Sequence, residues 1–301
     1  MWSLMLHNIL PSLEPADFKV LKVLDRYLGR FEYVPIEVIE SRVRLSPKKV
    51  MKSLMKLSEI KAVIKGGAGN RGYRLTYLGL DLLAVNLLAK KEIITHLGPP
   101  IGVGKESEIY LAKLREGPEA AIKFYRIGRI SFQKVVRVRD YLTDEANWLI
   151  RSKTAAEREY KALKDLMRFT RHVPKVFGWS KHAVVMEYLQ GVELHKLRDL
   201  PKPREVLMDL LSVLRVAYKQ LGIVHGDLSE YNVIVSEGSW EPYIIDWPQY
   251  LYIHDPRHED VLRRDVWNLI KFFKRRYGVN VELDAALRYV KGESYGEWET
   301  P

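Results

Sequence analysis

An α+β fold in two parts is predicted by three patterns in the 301-residue sequence. Residues 15–88 carry helix-like apolar periodicities and a pair of short apolar runs around a glycine-rich turn. Residues 102–188 set a G-V-G turn and a strand-like A-A-I-K-F run ahead of a long helical stretch. Residues 224–246 place an Asp five residues before an Asn, on a loop leading into an apolar strand, and a second Asp closes another apolar run. A chain of this length exceeds one ordinary core, so two or three packed units are expected. Their boundaries are placed at 1–84, 85–190 and 191–301.

Composition narrows the class. With 47% hydrophobic and 29% charged residues the chain is globular, and its net charge of +11 favours a polyanionic partner such as RNA or DNA. A heavily charged, solvated surface gives the same balance. The absence of Cys excludes disulfides and thiolate metal sites and fits an intracellular chain. The opening M-W-S-L-M-L-H-N-I-L lacks a basic start and a small-residue cleavage site, so no signal peptide is expected. No run approaches the roughly 18 apolar residues of a membrane span, so no membrane partner is expected.

In order, Pro15 to Leu28 has Phe18, Val20, Leu21, Leu24, Tyr27 and Leu28 at helical spacing, with Gly29 to end it. Pro35 opens a short second helix through Ile39. Ser46 and Pro47 cap a third, with Val50, Leu54, Met55 and Leu57 inward. Residues 62–64 and 73–75 flank G-G-A-G-N-R-G as a hairpin, and Thr76 caps a helix from Tyr77 to Leu88. Three helices and a hairpin are the order of a winged helix, in which the third helix commonly enters a groove and the wing touches backbone. Lys48, Lys49 and Lys52 on the third helix, with Arg71 and Arg74 on the wing, are the candidate nucleic-acid contacts. A protein-docking winged helix with ordinary surface lysines is the alternative.

Leu82 to Ile94 reads as helix and linker, broken by Gly98-Pro99-Pro100. In I-G-V-G-K-E-S, Gly102 and Gly104 let backbone N–H groups approach phosphate oxygens, and Ser107 stands where a third glycine usually does, its hydroxyl able to donate to a phosphate. Lys123 sits inside the apolar run 120–124. A Lys on a half-buried strand needs a partner, and phosphates and a carboxylate are the natural ones. The helix from Asn147 to Met167 offers Glu159 as that carboxylate, with Glu157 its rival. Arg126 to Tyr141 is a basic stretch, with Arg126, Arg129, Lys134, Arg137 and Arg139 and with Ser131 and Thr143 nearby, that reads equally as flexible loop, nucleic-acid contact or phosphorylation segment. Residues 184–188 form a buried strand, and in a kinase layout the backbone near Glu187 and Leu189 meets adenine.

Pro203 to Leu221 is an amphipathic helix ended by Gly222. H-G-D-L-S-E-Y-N at 225–232 and I-I-D at 244–246 then have kinase-type spacing: Asp227 near the attacking hydroxyl, Asn232 and Asp246 on magnesium. Each Asp alone could be a turn or strand-end cap. The glycine turn, strand Lys, helix Glu, D-x-x-x-x-N and strand-end Asp in this order point to phosphoryl transfer. W-P-Q follows Asp246 instead of F-G, no A-P-E follows, and His225 precedes Gly226 where an Arg is usual. A typical peptide-binding platform is therefore absent from the sequence.

These residues resemble the RIO family of atypical kinases, and within it the second subfamily, which has an N-terminal winged helix. The resemblance rests on G-V-G-K-E-S at 102–107, I-K-F-Y-R-I-G-R with S-F at 122–132, A-A-E-R-E-Y at 155–160, H-G-D-L-S-E-Y-N at 225–232, I-D-W-P-Q at 245–249 and R-D-V at 264–266. Trp247 departs from the family's usual Phe but keeps an aromatic. The short C-terminus is similar to archaeal members. The resemblance implies a winged helix followed by a two-lobed protein-kinase-like (RIO) domain. It implies Asp227 as catalytic base, supported by Lys123 and Glu159, and Asn232 and Asp246 as ligands of magnesium, with manganese as a substitute. It implies ATP held by Gly102, Gly104, Lys105, Ser107, Lys123, Glu187 and Leu189. It further implies a cytoplasmic serine/threonine kinase or ATPase that autophosphorylates and acts in ribosome biogenesis, with the pre-ribosomal small subunit and its rRNA as partner and an unassigned protein substrate. A small-molecule phosphotransferase, as in aminoglycoside and choline kinases, and a non-catalytic ATP-sensing RNA-binding assembly factor are the alternatives.

Overall fold

The computed structural model describes residues 6, 8–67, 71–128 and 141–293, the last stretch with side chains from residue 146. The chain forms two compact units, Met1–Glu157 with Phe177–Met186, and Arg158–Val176 with Glu187–Pro301.

The first unit opens with helices α1 (Pro15–Arg26), α2 (Ile36–Val43) and α3 (Pro47–Glu59). Pro15 and Pro47 each stand in the first turn, where the missing N–H costs nothing. Val50, Leu54 and Leu57 form the buried stripe of α3, whereas Met55, expected inward, is 65% exposed. It follows Leu54 by one residue, about 100° around the helix, and so leaves the stripe. Strands β1 (Val34–Pro35), β2 (Val63–Lys65) and β3 (Gly72–Leu75) make a sheet in the order β1-β3-β2. The hairpin is the expected one, with Val63 opposite Leu75 and Lys65 opposite Tyr73. Thr76 accepts from the Gly79 N–H at 3.2 Å and caps α4 (Tyr77–Lys90). This helix runs past residue 84. Its buried residues are almost all apolar, among them Leu78, Leu80, Leu82, Leu83, Ala84, Val85 and Leu88, with Asp81 the charged exception.

A five-stranded sheet follows, in the order β4-β5-β6-β8-β7. Its strands are β4 (Ile94–Val103), β5 (Ser107–Leu114), β6 (Glu119–Tyr125), β7 (Val176–Ser180) and β8 (Ala183–Glu187). The expected linker break at Gly98-Pro99-Pro100 is instead part of β4. Prolines are tolerated there because β4 is an edge strand, and its register against β5 shifts between Leu97 and Pro100 and again before Gly102. One core joins helices to sheet, including Leu21, Leu54, Leu80, Ile122, Phe124 and Val185. Helix α5 (Tyr141–Leu166) starts earlier than expected. Residues 129–140 of the basic stretch lie outside the described residues.

The second unit is built on α6 (Pro203–Leu221), closed by Gly222 at φ +61°, with α7 (His258–Tyr277) and α8 (Leu283–Lys291). Strands β9 (Gly191–Glu193), β11 (Val233–Ser236) and β12 (Pro242–Ile244) pair antiparallel in the order β12-β11-β9. β10 (Ile223–Val224) pairs with β13 (Leu251–Tyr252). These short pairs hold the loops 225–232 and 245–250 side by side. No helix among the described residues is long and apolar enough to cross a membrane.

Candidate active site

The loop after β10 turns at Gly226, φ +93°, where a Cβ would lie 2.3 Å from the Gln249 carbonyl oxygen. Only glycine permits that approach. His225 is buried. Its Nδ1 accepts from the Asp227 N–H at 3.2 Å and its Nε2 lies 3.1 Å from the Ile245 carbonyl oxygen, which places the ring proton on Nε2. Helix α7 grips the same loop. The Asp265 carboxylate accepts from the N–H of Gly226 at 2.8 Å and of Leu228 at 3.2 Å. Arg264 donates to the Gly226 carbonyl at 2.6 Å and Asn268 to that of Leu228 at 2.9 Å. Each of these hydrogen bonds from α7 is to Gly226 or Leu228, the neighbours of Asp227, whose own side chain is exposed.

Asn232 donates its side-chain N–H to the Asp227 carbonyl at 2.7 Å, so its amide oxygen is the atom left to meet a cation. Its backbone carbonyl accepts from the Ile245 N–H at 3.0 Å, which ties the Asp246 segment to it. Asp246 has φ +68°, a left-handed conformation unusual for Asp outside turns and functional loops. Its charge reaches Asp227: surrounding protein first, then Asp246, raise the Asp227 pKa against the opposing pull of Arg264. The structure thus brings Asp227, Asn232 and Asp246 together. Two mutually repelling carboxylates beside an amide oxygen suit a divalent cation, and magnesium commonly takes one or two carboxylates, water and phosphate oxygens. No closed cage of three or more His, Cys, Asp or Glu side chains occurs among the described residues.

Trp247 is fully buried, donates from Nε1 to the Ile244 carbonyl at 3.2 Å and packs 4.6 Å from the His225 ring. Arg158 of α5 donates to the Pro248 carbonyl at 2.7 Å and to that of Tyr250, and lies 4.0 Å over the Tyr250 ring. Burial pushes the Tyr250 phenol up to about 12.

In the first unit, the turn between β4 and β5 is closed by the Gly104 N–H donating to the Ser107 carbonyl at 2.8 Å. A Cβ on Gly102 would meet nothing nearer than 3.7 Å, and on Gly104 nothing nearer than 3.4 Å. The protein's own packing does not demand these glycines, and they leave the turn bare for a phosphate to approach. Lys105 is exposed and Ser107 half-buried. Lys123 on β6 is 7% exposed, with its Nζ 4.8 Å from the Tyr125 ring centre. Glu159 is buried in the second unit, whereas its rival Glu157 is only half-buried. The Glu187 N–H donates to the Lys175 carbonyl at 2.8 Å and its carboxylate accepts from the Lys175 N–H at 3.1 Å. Both its N–H and its carboxylate thus engage Lys175, and Leu189, the other candidate adenine contact, is half-buried.

Of the candidate nucleic-acid contacts, Lys48, Lys49, Lys52 and Arg71 are exposed. Lys52 lies 3.7 Å from Glu14. Arg74 is half-buried, its guanidinium 5.5 Å from the Tyr33 ring, so it faces the fold more than a ligand. Three residues that shape the site had no assigned role in the sequence: His225, Asp265 and Arg158. All three lie inside motifs quoted above, so the signal was present and the partner was not.

Residues 108–286 match the model of the RIO domain, and residues 10–91 match that of the Rio2 N-terminal domain. The RIO-type serine/threonine-protein kinase Rio2 of Methanocaldococcus jannaschii is 34% identical over 271 residues, covering 86% of this chain and 98% of its own. The rio2 kinase of Schizosaccharomyces pombe is 32% identical, covering 88% and 77%, while that of Dictyostelium discoideum is matched over 51% of its length. The crystal structure of the Rio2 kinase–ADP/Mg2+–phosphoaspartate complex from Chaetomium thermophilum superposes with a TM-score of 0.82 at 30% identity, covering 94% of this chain and 88% of that one.

Proposed function

The chain belongs to the RIO family, in its Rio2 branch, and from that premise we propose that it is an ATP- and magnesium-dependent serine/threonine kinase that also hydrolyses ATP. The observation that carries this reading is the joint placement of Asp227, Asn232 and Asp246, with Asn232 bonded to Asp227 at 2.7 Å and to the residue before Asp246 at 3.0 Å. Asp227 takes the proton of the attacking hydroxyl, with its backbone held by Asp265 and Asn232. Asn232 and Asp246 hold the magnesium, which supplies neutralisation of the phosphate charge. Gly102, Gly104, Lys105, Ser107 and Lys123 of the first unit receive phosphates, and Glu187 and Leu189 of the second receive adenine.

Hydrolysis follows from the same residues in one of two ways: water attacks the γ-phosphorus, or an Asp246 carboxylate oxygen takes the phosphoryl group, ADP leaves, and water then cleaves the acyl phosphate. The Chaetomium relative, crystallised with ADP, Mg2+ and phosphoaspartate, supports the second.

The reading extends to small ribosomal subunit maturation in the cytoplasm, with pre-ribosomal RNA as partner and self-phosphorylation as an accompanying reaction. The +11 charge and the exposed Lys48, Lys49 and Arg71 support a polyanionic partner. The test adds purified small subunits to a phosphate-release assay. A several-fold rise, reduced by Lys48→Glu with Lys49→Glu, is expected. No change with subunits overturns the ribosomal part. A switch that only senses ATP would instead keep its ATP-dependent subunit affinity unchanged in Asp227→Ala and show no release to stimulate.

A further inference from the structure

The glycine turn of the first unit is braced from behind by one buried arginine. Arg126 follows β6, and its backbone N–H donates to the Glu106 carbonyl at 2.6 Å. Its guanidinium donates to Glu108 Oε2 at 3.1 Å and makes two parallel bonds to Asp81, at 2.8 and 2.9 Å. His182 Nε2 lies 2.7 Å from Asp81 and 2.8 Å from the guanidinium. All four side chains are buried, and the rings of Tyr77 and Phe124 lie 5.3 and 5.5 Å from the guanidinium carbon. Burial alone would depress the arginine's pKa; Asp81 and Glu108 together more than offset it, so the group stays charged.

A buried ionic cluster is poor evidence for stability, since desolvation cancels much of the attraction. What it does supply is geometry. Glu106 and Glu108 flank Ser107, and Arg126 holds one by its carbonyl and the other by its carboxylate. Asp81, on α4, holds Arg126 by a two-point contact that fixes the guanidinium plane. We infer that Arg126, anchored by Asp81, is a positioning residue that sets Ser107 and the glycine turn for the nucleotide phosphates. This rests on the reading that the turn receives ATP.

The test uses the full chain with Asp81→Asn and Glu108→Gln, which keep shape and remove charge, and with Asp25→Asn as control. Asp25 binds Lys153 at 2.7 Å and Lys181 at 2.6 Å, joining the same helical region to the rest of the first unit without touching the turn. Titration with ADP and magnesium, well below the melting temperature, is expected to give about a tenfold weaker Kd for Asp81→Asn and Glu108→Gln, with KM for ATP raised and kcat within about twofold. Asp25→Asn is expected to lower the melting temperature and leave Kd unchanged. Should Asp81→Asn not fold, Glu108→Gln carries the test alone. Wild-type Kd in the folded cluster variants, or an equal loss in Asp25→Asn, overturns the inference. A wild type that binds no nucleotide overturns the functional reading as well.

Discussion

Asp265 accepts hydrogen bonds from the peptide N–H groups on both sides of Asp227, 2.8 Å from Gly226 and 3.2 Å from Leu228. One carboxylate on α7 therefore fixes the backbone that aims Asp227. In Asp265→Asn one oxygen survives, and the new NH2 confronts an N–H. The expected result is a fall in kcat of at least about tenfold, because a small misplacement of a reacting group is costly, with KM for ATP within twofold. Steady-state kinetics at pH 7 decide it.

The same residue gives a pH dependence of stability. Burial raises the Asp265 carboxyl to about 6, against the two backbone N–H groups and Arg264. The folded state then binds the proton more tightly than the unfolded chain. Its contribution is full below about pH 4 and is lost as pH rises through 6, amounting to about 3 kcal/mol. Urea unfolding at pH 4, 5, 6 and 7 is expected to show wild type losing ground to Asp265→Asn across that window. A difference that stays constant with pH contradicts this.

Gly226→Ala puts a Cβ 2.3 Å from the Gln249 carbonyl at a residue with φ +93°. Both the contact and the left-handed backbone oppose it. Loss of stability above about 2 kcal/mol and loss of nearly all turnover are expected. Chemical denaturation and an ATPase assay together check both halves.

Trp247→Phe tests whether the aromatic alone suffices after Asp246. It removes the 3.2 Å bond to the Ile244 carbonyl and leaves a gap beside His225. A cost of about 1–3 kcal/mol is expected, with turnover per folded molecule within about threefold. Turnover reduced a hundredfold would give Trp247 a chemical role.

The legible part of the site is the part written in local backbone. Asp227 and Asn232 are five residues apart, on one turn whose bond between them needs no distant partner, and Asp246 follows an apolar strand that pairs with β11. The hairpin and the Thr76 cap were readable for the same reason. What escaped depends on long-range partners. Asp265 meets its loop 39 residues away, Arg158 reaches Pro248 across 90, and Arg126 looked like the start of a basic surface until Asp81, 45 residues earlier, neutralised it. Pro99 and Pro100 read as a break because the sequence does not say that β4 is an edge strand.

If Asp227 is the base of a magnesium-dependent phosphoryl transfer, its removal must abolish turnover and spare nucleotide binding. The most direct measurement follows radiolabelled ATP with magnesium in wild type and Asp227→Ala, counting free phosphate and protein-bound label, beside ADP binding to both. Release and labelling of Ser or Thr are expected to fall at least about a thousandfold in the variant, while ADP binding stays within about threefold. Wild-type turnover in Asp227→Ala would contradict it.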